Sequence, residues 1–247
     1  MDMNKNSISL AIVIITSLVV MSDPAFAGPG GKIASTAFDS FWGRIGLGIL
    51  TIVFLPIITY TLLREKLSER RTRRDLRFMA AHSSQFEWLK LKERTKDCFL
   101  RVYSGWEDED LSSVKDWMTI WYWQNQQQMH LEKWKKVGLK NVCDVKKITH
   151  IKPLLFVHRN NGKEHEGSMV VIFIEAKMKD YLQNVKSGKV VEGSKRYKNV
   201  DTIWSLTMEN GQWKVSDIEE GSMSLAYANL VKDLPDIETT LAPDTGA

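Results

Sequence analysis

Apolar residues fall into three regimes along this chain. They run almost unbroken through two N-terminal stretches, recur at helical spacing through the middle, and alternate with polar residues in the final third. The second unbroken stretch, residues 45–63, reads IGLGILTIVFLPIITYTLL. At 1.5 Å per residue it covers about 28 Å, close to the thickness of bilayer hydrocarbon. Trp42 and Tyr60 stand near its ends, where amphipathic rings partition, and Pro56 inside it predicts a kink that membrane helices tolerate. A transmembrane helix is expected over residues 43–63.

The first stretch has Lys5, an apolar run over residues 8–21, and then Ala25 and Ala27 in an AxA pattern. It predicts a signal peptide over residues 1–27, with an uncleaved first membrane helix as the alternative. Residues 28–42 form a Gly/Ser-containing spacer. Directly behind the membrane segment come Arg64, Lys66, Arg70, Arg71, Arg73 and Arg74, faced only by Glu65 and Glu69. Residues 64–83 are expected to form a basic juxtamembrane stalk, with those six side chains at anionic lipid headgroups. The positive-inside rule places the large C-terminal domain on the cytoplasmic side, whichever fate the first stretch has.

In the middle third, Phe86, Leu89, Thr95, Cys98, Phe99, Val102 and Tyr103 predict a helix over residues 84–103. A second helical run carries Leu111, Val114, Trp117, Met118, Trp121 and Tyr122. It continues through Met129, Leu131 and Trp134 to a stop at Gly138. The period then changes to two. Strands are expected over residues 140–158, 168–178 and 198–208, with a turn at Asn160, Asn161 and Gly162. Asn210 and Gly211 predict a hairpin into a further strand. Helices followed by at least four antiparallel strands describe an α+β domain over residues 84–228, with helices packed on a curved sheet. Residues 229–247 lack a period and are expected to be a flexible tail.

Composition changes this picture little. The chain is 43% apolar and 26% charged, which is globular, and its net charge of +4 comes largely from the basic stretch. That placement favours anionic lipid over nucleic acid, and no DNA partner is expected. Cys98 and Cys143 have no metal-binding spacing, and neither do His82, His130, His150, His158 and His165. There is no glycine-rich phosphate loop and no nucleophile elbow. No catalytic residue, metal ligand or cofactor is therefore assigned. The tryptophans are the other candidate surface. Trp117 and Trp121, four apart, are expected to share the core-facing side of one helix, and Trp123 to fall off it as an exposed anchor. With Trp134, Trp204 and Trp213 they are candidates for a partner surface or an aromatic-lined pocket.

The aromatic helical region FEWLKLKERTKDCFLRVYSGWEDEDLSSVKDWM and the hairpin DTIWSLTMENGQWKVSDIEE resemble the Tim44-like domain family. The hairpin has Trp204 before its turn and Trp213, Val215 and Ile218 after it. The resemblance covers residues 76–222, and bacterial members also show a signal-like start, a spacer and one membrane span. It implies an NTF2-like, cystatin-like cone enclosing a pocket. It also implies a membrane-anchored adaptor or scaffold on the cytoplasmic face of a bacterial inner membrane, organising a protein complex or translocation machinery. A ribosomal relative adds ribosome contact. The long chaperone-binding N-terminal region of the mitochondrial member has no counterpart here, so a motor tether is not implied. Two alternatives stand beside the adaptor. One is a module that holds lipid or another small hydrophobic ligand in the cone. The other is an isomerase- or hydratase-type enzyme, which needs a buried acid or histidine beside open volume; Asp108, Asp116, Asp144, Glu175 and Asp201 are the acids available.

Overall fold

A computed structural model describes residues 41–241. The expectations for residues 1–27 and for residues 28–40 of the spacer lie outside the described residues, as do residues 242–247. The chain divides into two compact units, residues 1–62 and 63–247. Helix α1 spans Phe41–Ala80 and contains Pro56. Among the described residues it is the one helix long and apolar enough to cross a membrane. Its side chains from Ile49 to Leu63 are almost all exposed, as a lipid-facing segment requires.

The second unit holds α2 (Trp88–Glu107), α3 (Ile120–Gln126), α4 (Glu132–Lys136) and α5 (Ser224–Leu230). It also holds strands β1 (Leu139–Val157), β2 (Met169–Asn184), β3 (Val190–Glu209) and β4 (Gln212–Glu220). Helix α2 buries Leu91, Thr95, Cys98, Phe99 and Val102, a stripe at three- and four-residue spacing. It begins at Trp88 rather than residue 84, because Ser84–Phe86 forms a separate 3-10 turn that plugs Phe86 into the core. Near its end, a Cβ on Gly105 would lie 2.9 Å from Leu111, so the chain folds back closely only over a glycine.

The four strands pair antiparallel in the order β1-β2-β3-β4. This overturns the NTF2-like, cystatin-like cone. The sheet is an open meander, neither closed nor curled, with β1 and β4 as its two edges. Short β4 pairs only with the last part of β3, from Thr202 to Glu209. Between α2 and the middle of the sheet the space is filled. Phe99, Tyr103, Trp204, Val170 and Ile172 are packed together beneath α2, with the Phe99 and Trp204 rings 5.1 Å apart.

Edge strand β1 is sealed by α1. Leu154 is the extra residue of a bulge between Pro153 and Leu155, so it has no partner on β2. Its carbonyl accepts from the Ser68 hydroxyl, and from the Thr72 hydroxyl at 3.1 Å. Pro153 removes an N–H from the same edge. Nearby, Lys152 pairs with Glu65 at 2.7 Å, and Glu65 also accepts from Ser224 of α5 at 2.5 Å. Leu154, Leu155, Val171, Ile203 and Val231 form a second apolar cluster.

The stretch expected to be a stalk is therefore part of the folded unit. Leu76 and Met79 are completely buried in the main core. The hydroxyls and apolar residues among the charges recur at helical spacing, which lets one face of a basic helix pack while the other stays in water. The expected tail is likewise held. Val231 and Ile237 are buried, and two 3-10 turns, Val231–Asp233 and Ile237–Thr240, lie in it.

Candidate functional site

The six basic residues expected at lipid headgroups do not share one environment. At 100° per residue, positions 64, 68, 71, 72, 75, 76 and 79 of α1 point one way. Positions 66, 70, 73, 74 and 77 point the other. Arg64 and Arg71 are on the packed side. Arg64 Nε donates to Asn229 Oδ1 at 3.0 Å. Arg71 donates to the carbonyls of Val231, Leu234 and Pro235 at 2.7, 2.8 and 3.0 Å. These two charges are committed to holding the C-terminal segment.

Lys66, Arg70 and Arg74 lie on the open side, joined by Arg77, which is not among the six. Arg70 and Arg77 are exposed and form no hydrogen bond or ion pair among the described residues. The Arg74 side chain is 62% exposed and reaches Asp75 at 3.2 Å. Lys66 reaches Glu69 at 3.5 Å, and Arg73 binds the same carboxylate at 2.8 Å while covering the Trp88 ring. Burial opposes ionisation of Glu69, but Arg73 and Lys66 outweigh it and hold its pKa below the usual range. The result is a stripe of cations, 66-70-74-77, at the spacing of one helical face. Arg77 was legible in principle: it stands seven residues after Arg70 on the same face.

The aromatic candidates separate too. Trp204 and Trp213 are core residues. Trp213 Nε1 donates to the Gln85 carbonyl at 2.9 Å, and Trp204 Nε1 donates to Thr202. Trp117 is half-buried under the guanidiniums of Arg94 and Arg101, at 3.7 and 4.3 Å from its ring. Trp134 is partly buried against the core. Trp121 and Trp123 are the reverse of expectation. Trp121 is 69% exposed, beside exposed Ile120, whereas Trp123 packs inward with its indole N–H buried and unpartnered. The reason is a break. Ser112–Trp117 is a 3-10 turn, Met118 bridges to Val215, and α3 starts only after its Thr119 cap. Trp117 and Trp121 therefore do not share one helix.

The acidic and histidine candidates are mostly paired or exposed. Asp144 accepts from Tyr197 and Lys179, and Glu175 accepts from Asn199. Asp108 and Asp116 are exposed. His158 and His165 form a buried pair with ring nitrogens 3.0 Å apart. Burial raises the Cys98 thiol to about 12 and pushes Cys143 higher still, so neither is a thiolate at neutral pH. Among the described residues no cluster of three or more His, Cys, Asp or Glu could hold a metal ion.

No family model matches the chain, and no curated protein matches it. Among solved structures, it is similar to the intermembrane-space region of the chloroplast protein ARC6. That likeness has 7% identity and a TM-score of 0.36, over 51% of this chain and 92% of that one. A likeness this distant carries no argument about family or function.

Proposed function

We propose that this chain is a membrane-anchored adaptor whose folded unit rests against anionic lipid on the cytoplasmic face and organises a protein complex there. The observation that carries the reading is the division of charge on α1. Two arginines are consumed by the fold, while Lys66, Arg70, Arg74 and Arg77 form an open cationic stripe just C-terminal to the apolar segment. Such a stripe suits an anionic surface, and its attraction weakens with salt. Exposed Ile120 and Trp121 supply a separate apolar anchor for a protein partner.

The test uses the full chain reconstituted into bilayers of anionic or purely zwitterionic lipid. A photocrosslinker at position 70 or 77 is expected to capture anionic lipid, and one at position 71 to capture none. Equal capture from both bilayers would refute the lipid contact. Crosslinked recovery from native membranes is expected to yield stoichiometric protein partners, reduced by Trp121→Ser. A lone chain would refute the adaptor role. A cytoplasm-only reporter fused after Ala247 checks the side: silence there would exclude the proposed topology.

A further inference from the structure

Beyond the end of α2, between that helix layer and the ends of β1, β2 and β3, a cleft of about 620 Å³ opens. That is the volume of a small-ligand site. Trp106 and Trp134 form indole walls, and Asn141, Asp180, Glu192 and Glu220 supply polar lining. Asn141 is only 6% exposed. Its amide nitrogen donates to Cys143 Sγ at 3.0 Å, while its oxygen has no hydrogen-bond partner among the described residues. That oxygen is not sealed from solvent, so it is an acceptor open to a donor that enters the cleft.

Asp180 stands beside it. The Cys143 thiol donates to Asp180 Oδ1 at 3.6 Å, a weak contact, and Asp180 forms no ion pair among the described residues. Burial raises its pKa and the Glu192 charge adds to that, while Lys198, the one cation lining the cleft among the described residues, pulls it down. The lining is thus rich in acceptors, poor in cations, and walled by electron-rich rings. Neutral apolar molecules would leave these carboxylates desolvated without compensation. Anions would be repelled. A delocalised or alkyl-bearing cation satisfies both the acceptors and the indole faces.

We propose that this cleft binds an organic cation with several N–H donors, an alkylammonium or guanidinium group. A free polyamine or a lysine or arginine side chain of a polypeptide presents that chemistry. The site does not depend on the membrane reading, because every residue that lines it belongs to the second unit.

Calorimetric titration of the full chain in detergent tests it, with three probes: spermidine, N-acetyl-arginine methylamide, and the neutral N-acetyl-citrulline methylamide. At least one cation is expected to bind about tenfold more tightly than the citrulline probe, which is about 1.4 kcal/mol. Spermidine alone binding identifies a free amine as the ligand; the arginine amide binding identifies a polypeptide side chain. Asp180→Asn or Glu192→Gln is expected to weaken the bound cation about tenfold, with folding checked by circular dichroism. Glu192 is exposed on its strand, so its variant cannot fail merely by unfolding. The proposal is overturned if neither cation outbinds the citrulline probe, or if both variants bind like the parent chain.

Discussion

Arg71 on α1 donates to the backbone carbonyl of Val231 at 2.7 Å, across 160 positions of sequence. The same guanidinium reaches Leu234 and Pro235, so one side chain satisfies carbonyls left open where α5 ends and the chain turns. Arg71→Ala removes these charge-assisted bonds together and leaves partly buried acceptors. The expected cost is about 2–3 kcal/mol. Hydrogen exchange checks the mechanism: amides from Leu234 to Thr240 should exchange faster in the variant, while those of β2 stay protected. Uniform acceleration would mean that the arginine does more than hold the segment.

The strand region was legible because its physics is local. Asn210 and Gly211 have positive φ of 51° and 74°, as a two-residue hairpin demands, and the alternation around them set the faces. Strand length was not legible. β2 continues to Asn184 and β3 begins at Val190, where Lys179, Gln183, Glu192 and Lys195 interrupt any apolar alternation. There the ladder and the turn after Asn184 hold the strands, rather than an inward-facing row. The open sheet was hidden for another reason. Whether β1 and β4 meet depends on pairing between segments far apart, and no periodicity encodes it. The basic cluster was plain as a cluster, but the division of its faces was marked only by Ser68, Thr72, Leu76 and Met79. The cleft carboxylates stand at positions 180, 192, 201 and 220, and only the meander brings them together.

The tryptophans provide a contrast that a single instrument can read. Trp204 is fully buried, tilted against the Phe99 ring and near Tyr103, so Trp204→Ala leaves a large cavity. Its cost should be about 3–5 kcal/mol. Trp121→Ser removes an exposed ring and should stay within about 0.5 kcal/mol of the parent. Denaturant melts of the two variants decide it. A large loss at Trp121 would show that the ring is covered in solution.

Gly193 lines the cleft opposite Tyr181 and has φ of +80°. A Cβ there would fall 2.2 Å from the Asp180 carbonyl oxygen and 2.7 Å from Tyr181 Cα. Both obstacles are backbone, so no rotamer change relieves them. Gly193→Ala should cost roughly 1–3 kcal/mol and distort the β2–β3 bulge that positions Asp180. Thermal melting measures the first effect. Weakened cation binding in the folded variant measures the second.

The histidine pair predicts a pH dependence whose sign is set by hydrogen bonding. The Thr240 hydroxyl donates to the Ile237 carbonyl at 2.7 Å, so its oxygen accepts from His158 Nδ1–H at 2.9 Å. Neutral His158 then has only a lone pair at Nε2, which accepts from His165 Nδ1–H at 3.0 Å. A proton on His158 Nε2 would set two N–H groups face to face, inside a site walled by Phe86. Burial lowers the His158 pKa below its ordinary 6.5, and the His165 charge lowers it further. The folded state therefore binds fewer protons than the unfolded state just below pH 6.5. Stability is fully present above that value and falls as pH drops through it toward the depressed folded pKa. Melting temperature should decline across this window, and His158→Gln, which cannot charge, should flatten the decline. A parent curve and a variant curve of equal slope would place the titration on other groups.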